Sequence, residues 1–105
     1  MSIAASDPGS GGMSREAMDA LLARPILARL ATVADEQPRV LPMWFVWNGR
    51  SVWMETSPDF PNARILRAHP RAALTIDETL GGLRFRAVIM RGSVEVIGRP
   101  DSGQV

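Results

Sequence analysis

Residues 39–57 read RVLPMWFVWNGRSVWMETS, two apolar segments separated by an Asn-Gly pair. Both segments are rich in β-branched and aromatic residues, a composition typical of β-strands. Asn48 and Gly49 tolerate the positive φ that both central residues of a type I′ turn require, so this pair is the strongest hairpin signal in the chain. Pro42 has no N–H to donate to a sheet and predicts an edge strand or a bulge. The stretch therefore predicts a β-hairpin.

Aromatic residues alternate along the first of these strands. Trp44 and Val46 point to one side of an extended chain. Phe45 and Trp47 point to the other side. Both faces are therefore expected to be covered, and a small domain covers a second face most easily with another subunit or a planar ligand. Trp53, on the second strand, is interpreted as a core residue.

Outside the hairpin, short strands alternate with two short helices. Pro70 ends the second helix, whose Ala63, Ile65 and Leu66 are predicted to face inward. Gly92 interrupts the last apolar segment and predicts a β-bulge. Five or six strands with two short helices favour a mainly β fold, an antiparallel sheet curled into a small barrel. The predicted elements are a helix over 15–23, a strand over 26–34, a turn over 35–38, a helix over 59–69, a strand over 72–79, a loop over 80–83 and a long strand or bent hairpin over 84–98.

The two ends of the chain differ from the rest. Residues 1–13 are rich in Ser, Gly and Ala and predict a flexible leader that buries little surface. Ser14 follows, at the N-cap position of the first helix. The sequence thus predicts one domain over residues 14–99, with this leader before it and a short tail over residues 100–105 after it.

Composition excludes several classes of protein. The 105 residues suffice for one domain, and the absence of cysteine excludes disulfides, thiolate metal sites and cysteine nucleophiles. The 12 strongly basic residues are all arginine and the 11 acidic residues are interspersed among them, which argues against a nucleic-acid-binding patch. No apolar run reaches the roughly 20 residues of a membrane-spanning helix. We expect a cytoplasmic protein that binds neither nucleic acid nor membrane.

Side chains suited to direct catalysis are scarce. His69 is the only histidine, and its place at a helix end before Pro70 favours a capping role over a catalytic one. No spacing of histidine and carboxylates predicts a metal site. The sequence therefore predicts no catalytic side chain and no metal ligand.

One group of residues suggests anion binding. Arg64, Arg67 and Arg71 follow one another at three- and four-residue steps, which places neighbouring members on one helix face. Thr56 and Ser57 lie just before the start of the same helix, where hydroxyls and free N–H groups favour an anion. From spacing alone, the group is either a solvated helix face or a phosphate site.

An ordered set of motifs runs through the chain: LATV at 30–33, P-x-x-x-P-x-W-F at 38–45, Thr-Ser at 56–57 and R-x-x-P-R-x-A-L-x-I-D at 67–77. In this order and spacing, the chain resembles the pyridoxamine 5′-phosphate oxidase-like split barrels over residues 14–98. The form PMWFVWNG is most similar to a bacterial branch that uses FMN or the deazaflavin coenzyme F-420. The resemblance implies an FMN-binding-like split barrel and a flavin- or deazaflavin-dependent oxidoreductase that transfers two electrons to or from a small-molecule substrate.

The resemblance also implies a location for the cofactor. Such proteins are typically homodimers with the cofactor in grooves between subunits. By analogy, Thr56 and Ser57 meet the ribityl chain or phosphate, and the helix bearing Asn62 and Arg64 closes over the phosphate. Related proteins usually have lysine at the position of Asn62, so weaker binding of a phosphate is expected unless Arg64 or Arg67 substitutes for its charge. The strand expected to run along the isoalloxazine ring comprises Val40, Leu41, Pro42, Met43 and Trp44.

Two other functions stay open from sequence. One is a split-barrel module that binds a cofactor without turnover, which the neutral Asn62 favours. The other is a remnant with an incomplete site, since related domains usually continue with a further helix and a closing strand after the segment that contains Gly92.

Overall fold

The computed structural model describes residues 2–6 and 12–98. In chain order the elements are β1 (Ser2–Ser6), α1 (Arg15–Leu22), β2 (Ala28–Ala34), β3 (Gln37–Met43), β4 (Val46–Trp47), β5 (Ser51–Glu55), α2 (Pro61–Ala68), β6 (Arg71–Gly81), β7 (Arg84–Ser93) and β8 (Glu95–Ile97). The strands form two antiparallel sheets, with the orders β4-β5-β1-β8 and β3-β2-β6-β7. The mainly β split-barrel fold predicted from sequence is confirmed.

One hydrophobic core joins both sheets and both helices. Burial alternates along the strands, as in β5, where Val52 and Met54 are fully buried while their neighbours are not. The core comprises Ile3, Leu21, Leu22, Ala28, Leu30, Val52, Met54, Leu66, Leu74, Ile76, Val88, Met90 and Val94. Helices and sheets therefore stabilise each other through one shared apolar interior.

The first helix begins as the sequence predicts. The Ser14 hydroxyl accepts a hydrogen bond from the Ala17 N–H at 3.1 Å, and Leu21 faces the core. On the exposed side, Asp19 accepts a hydrogen bond of 2.8 Å from Trp47 Nε1. Phe45 and Trp47 pack against the core, whereas Trp44 and Val46 are exposed. The alternation predicted for residues 44–47 is therefore confirmed.

Both predicted turns exist, but the pair of positive φ values predicted for Asn48 and Gly49 occurs at Asp35 and Glu36. Asp35 and Glu36 have φ of 52° and 61°, the positive values that a two-residue type I′ turn requires. In the Asn-Gly pair, only the glycine has positive φ. Asn48 acts through its side chain instead, since Oδ1 accepts from the backbone N–H groups of Arg50 and Ser51 at 2.9 and 2.8 Å. The hairpin prediction is confirmed for β4 and β5, and its type I′ turn is wrong. The single strand predicted over residues 39–47 is also wrong, because the chain leaves one sheet after β3 and enters the other as β4.

The leader prediction is wrong for residues 2–6. They form β1, which pairs with β5 on one side and β8 on the other. Ile3 is fully buried and Ala4 is 9% exposed. Backbone pairing on both sides orders this segment, which the sequence predicted to be flexible. Residues 7–11 and the predicted tail over 100–105 lie outside the described residues.

The bulge predicted at Gly92 is also wrong. Gly92 pairs in register with Ala72, and the irregularity in the β6–β7 ladder lies between Thr79 and Gly81. Gly92 has φ of 143°, a conformation that side-chain-bearing residues rarely adopt. Shortly after it the chain leaves this sheet and enters the other as β8. Glycine serves here to redirect the strand.

The second helix follows its predicted pattern. Ala63 and Leu66 are buried and Ile65 is half-buried. His69 is the C-cap residue, and its backbone N–H donates to the Ile65 carbonyl at 2.7 Å. The capping role predicted for His69 is confirmed, through its backbone. Among residues 2–6 and 12–98, neither helix is long and apolar enough to cross a membrane.

Candidate cofactor site

The candidate site begins at the free edge of β3. Within the described residues, β3 pairs with β2 alone, as Pro42 predicts. Pro38 and Pro42 have no N–H and therefore suit the positions of β3 whose backbone groups point away from β2. Because these positions alternate along an antiparallel strand, Val40, midway between the two prolines, has the same orientation. From residue 38 to residue 42, the Val40 N–H is therefore the only backbone donor on this edge. The edge suits a ligand that accepts one hydrogen bond better than it suits another strand.

An apolar groove of about 400 Å³ lies beside this strand. Trp44 and Val46 are 67% and 66% exposed, and Phe60 is 56% exposed. Large apolar side chains on the surface mark an interaction site when they are contiguous. The lining residues are Leu41, Pro42, Met43, Trp44, Phe45, Val46, Trp53, Glu55, Phe60 and Asn62. Aromatic walls in a concave groove suit a planar ligand.

Trp53 is part of this groove and not of the core, contrary to its predicted role. It lies on the opposite face of β5 from Val52 and Met54 and is only half-buried. Its Nε1 is enclosed and has no hydrogen-bond partner among the described residues. An enclosed donor without an acceptor is costly, so a ligand that supplies an acceptor would be favoured. Nearby, Glu55 accepts a hydrogen bond of 2.6 Å from the Ser2 hydroxyl.

A buried polar pair ties the start of α2 to the strands. The Thr56 hydroxyl donates to Asn62 Oδ1 at 2.9 Å, and Asn62 Nδ2 donates to Met43 Sδ at 3.6 Å. Asn62 is only 2% exposed. At the position where the sequence resemblance leads one to expect a phosphate-binding lysine, this chain therefore places an amide whose polar groups are engaged within the protein. Contact of Thr56 or Asn62 with a cofactor stays a prediction.

Ser57 shapes the turn that leads into α2. Its hydroxyl accepts from the Asp59 N–H at 3.2 Å, and its carbonyl accepts from the Phe60 N–H at 3.0 Å. Phe60 occupies the N-cap position without a side-chain capping bond, and Pro61 follows as the first helical residue. The first turn of α2 therefore keeps backbone N–H groups that no side-chain cap satisfies.

A second groove, of about 540 Å³, lies further along β3 toward the β2–β3 turn. Arg39 and Arg64 line it, one from the strand and one from α2. Neither guanidinium has a hydrogen bond or ion pair with another described residue. Asp35 is the only carboxylate in its lining. Two free guanidinium groups in one groove suit a phosphate.

The structure separates the two arginines predicted to serve a phosphate. Arg64 lines the second groove. Arg67, on the same helix, directs its guanidinium instead toward Gly98, just after β8. Arg39 lines the second groove together with Arg64. Spacing in the sequence did not indicate Arg39, because it lies 25 positions before Arg64 in the chain. Of the predicted strand, Leu41 to Trp44 line the first groove and Val40 lies between the two grooves.

Comparison with known proteins agrees with this architecture. A family model of pyridoxamine 5′-phosphate oxidase matches residues 14–104. The chain belongs to the pyridoxamine 5′-phosphate oxidase family. An uncharacterised protein of Rhizobium meliloti (strain 1021) is 29% identical over 80 residues, which are 76% of this chain and 52% of that protein. The chain thus spans about half the length of this family relative.

Solved structures similar to this family member include three proteins. An FAD-binding protein from Mesorhizobium loti is 28% identical with a TM-score of 0.64, over 77% of this chain and 59% of its own. A conserved hypothetical protein from Mycobacterium tuberculosis is 27% identical with a TM-score of 0.74, over 86% of this chain and 57% of its own. An F420 reductase is 29% identical with a TM-score of 0.63, over 81% of this chain and 63% of its own.

Proposed function

We propose that this member of the pyridoxamine 5′-phosphate oxidase family binds FMN or the deazaflavin coenzyme F-420 and acts as an oxidoreductase on a small-molecule substrate. The observation that carries the proposal is the apolar groove beside β3, with aromatic walls formed by Trp44, Trp53 and Phe60. When bound, the cofactor ring supplies the two-electron transfer, and the protein supplies orientation and electrostatics. Two similar structures are an FAD-binding protein and an F420 reductase, which supports the proposal.

The residues of the two grooves along β3 fit a cofactor whose ring lies in the first groove and whose phosphate lies in the second. Leu41, Pro42 and Met43 would contact the ring, and the Val40 N–H would donate to one ring acceptor. Arg39 and Arg64 would hold the phosphate. The unpartnered Trp53 Nε1 would donate to the cofactor or the substrate.

A cofactor-binding module without turnover is the second candidate. Glu55 is the only titratable side chain in the lining of the first groove, and it already accepts a hydrogen bond from Ser2. Thr56 and Asn62 are likewise engaged with each other. The groove therefore offers few groups that could move a proton for a substrate.

We further propose that a second copy of the chain covers the outer side of this groove, where apolar lining residues stay exposed. Val46 and Phe60 are the residues expected to be buried by it. Sedimentation of the purified protein is expected to show a dimer, and Val46→Glu is expected to yield a monomer. Leu83→Glu is the matched control, since Leu83 is 99% exposed in the β6–β7 turn, and it should stay dimeric.

The direct test is retention of the cofactor. The full chain is mixed with FMN or with coenzyme F-420, passed through gel filtration and measured by cofactor absorbance. About one chromophore per chain is expected with one of the two. If bound reduced cofactor is reoxidised by small two-electron acceptors no faster than free cofactor, the module without turnover is favoured. If the protein retains neither cofactor, both the oxidoreductase and the cofactor-binding module lose their support, and a remnant with an incomplete site is favoured.

A further inference from the structure

The outer face of the β4-β5-β1-β8 sheet forms one side of the first groove. Directly paired residues of antiparallel strands point to the same side of a sheet, as does every second residue of one strand. Val46 pairs with Trp53, and Trp53 pairs with Ala4, so these three side chains share one face. Glu55 follows Trp53 by two positions and lies on that face as well. The core residues of β5 occupy the opposite face.

Aromatic rings stand on this outer face. Trp44 points to the same side as Val46, because side chains alternate over residues 44–47. Trp44, Trp53 and Phe60 line the first groove together, and Trp44 and Phe60 are exposed. The face of an aromatic ring carries a partial negative charge that attracts cations. The groove thus presents surfaces that suit a cationic group as well as a planar one.

The charge on this face is acidic. Glu55 is the only charged residue in the lining of the first groove. Glu95, on β8, pairs with Ala4 and therefore points to the same side of the sheet. None of the four strands contains an arginine or a lysine. A positively charged ligand is therefore favoured here over an anion.

The N-terminal strand orients the carboxylate of the groove. Ser2 is the partner of Glu55 in the β1–β5 ladder, and its hydroxyl donates to Glu55 Oε2 at 2.6 Å. A hydroxyl is a neutral donor, so this bond directs the carboxylate without cancelling its charge. An ionised carboxylate accepts several hydrogen bonds at once, so the bond from Ser2 leaves it able to contact a ligand.

We propose that the first groove binds the alkylated ammonium group of an organic cation, with the rings of Trp44 and Trp53 beside it and Glu55 as its counter-charge. Aromatic rings recognise such groups through their negative faces, and the attraction strengthens as water is excluded. The inference rests on the proposed function where it makes this cation the substrate, and it adds the chemical class of that substrate. The cation would lie on the β5 side of the groove, and the cofactor ring on the β3 side.

Binding of choline, a quaternary ammonium probe, tests the proposal directly. The full chain is titrated with choline and, separately, with the neutral alcohol in which carbon replaces the choline nitrogen, while tryptophan fluorescence is followed at constant ionic strength. A saturable change with choline is expected, and the alcohol should bind about tenfold more weakly. Equal affinity for the two probes, or no saturable change with choline, would overturn the proposal.

Variants test the carboxylate and the ring separately. Glu55→Gln removes the charge and should weaken choline binding about fivefold while leaving the affinity for the alcohol unchanged. Glu16→Gln, in the exposed first turn of α1, is the matched control and should bind choline like the wild type. Trp44→Leu should weaken choline binding about threefold. Wild-type affinity for choline in either Glu55→Gln or Trp44→Leu would overturn the proposal.

Choline binding is measured without cofactor, which separates this inference from the proposed function. Saturable choline binding by a protein that retains neither FMN nor coenzyme F-420 would support the cation site and leave the proposed oxidoreductase without support. Cofactor retention without choline binding would overturn the cation site alone.

Discussion

Thr56 Oγ1 donates a hydrogen bond of 2.9 Å to Asn62 Oδ1, and both residues are buried between the end of β5 and the start of α2. Breaking a buried pair leaves one polar group unsatisfied, which costs about 1–3 kcal/mol. Thr56→Val and Asn62→Leu are each expected to lower the free energy of unfolding by about this amount. The double variant should lose less than the sum of the two, because no orphaned partner remains. Urea unfolding of the four proteins measures the coupling, and strict additivity would show that the bond contributes nothing.

The same relationship explains why Asn62 does not simply replace a phosphate-binding lysine. Its amide is engaged within the protein, and the proposal therefore assigns the charge that would hold a cofactor phosphate to Arg39 and Arg64. Arg39→Gln and Arg64→Gln are each expected to weaken FMN or F-420 binding about tenfold and to flatten its salt dependence. Arg67→Gln, whose guanidinium lies by Gly98, is the matched control on the same helix. A larger loss in Arg67→Gln than in Arg64→Gln would contradict this assignment.

The N-terminal strand is expected to be essential for stability. Ile3 is fully buried in the core, and β1 fills the space between β5 and β8. Ile3→Ala should lower the free energy of unfolding by about 2–4 kcal/mol, through lost burial and the cavity it leaves. Val33→Ala is the control, since Val33 is 54% exposed, and it should change stability by less than about 0.5 kcal/mol. Equal midpoints of the two variants in urea would mean that β1 does not contribute to the core.

Glu78 gives the fold a defined response to acid. Hydrogen bonds from Arg24 and Arg86 hold the pKa of Glu78 below its ordinary value of 4.5. A carboxyl whose folded pKa is lowered stabilises the fold above its unfolded pKa, and this contribution is lost as pH falls through the folded pKa. Glu78→Gln should therefore be less stable than the wild type at pH 7, and the difference should shrink as pH falls below the ordinary value of 4.5 and through the lowered pKa of Glu78. Thermal unfolding against pH measures this, with Glu95→Gln as the control; a difference that grows at low pH would contradict the assignment.

Local patterns in the sequence predicted most of the fold. The Ser14 cap, the inward face of α2 and the alternation around Trp47 all depend on neighbours in the chain, and each is confirmed. Strand β1 could not be predicted from its own residues, because it is ordered by pairing with β5 and β8, which are distant in the chain. Its small side chains carry no pattern that indicates this pairing. The alternation of β5 places Trp53 on the opposite face from Val52 and Met54, which by itself indicates a side chain outside the core.

The candidate site was only partly predictable for the same reason. Leu41 to Trp44 and Asn62 line one groove, whereas the family resemblance places the strand along the ring and Asn62 at the phosphate; contact of either with a cofactor stays a prediction. Arg39 could not be found from helical spacing, because it faces α2 from a strand. The engagement of Asn62 by Thr56 required the geometry of the turn between them. Sequence thus located the strand and the helix of the site, and the structure supplied the side chains that face each other.

The three tryptophans allow the most direct test of a ring beside β3. Trp44 and Trp53 line the groove, whereas Trp47 packs against the core and donates to Asp19. Variants that keep one tryptophan each, with phenylalanine at the other two positions, are titrated with FMN and with coenzyme F-420. Binding is expected to quench Trp44 and Trp53 strongly and Trp47 weakly. Equal quenching of all three, or no quenching in any, would contradict a cofactor site along β3.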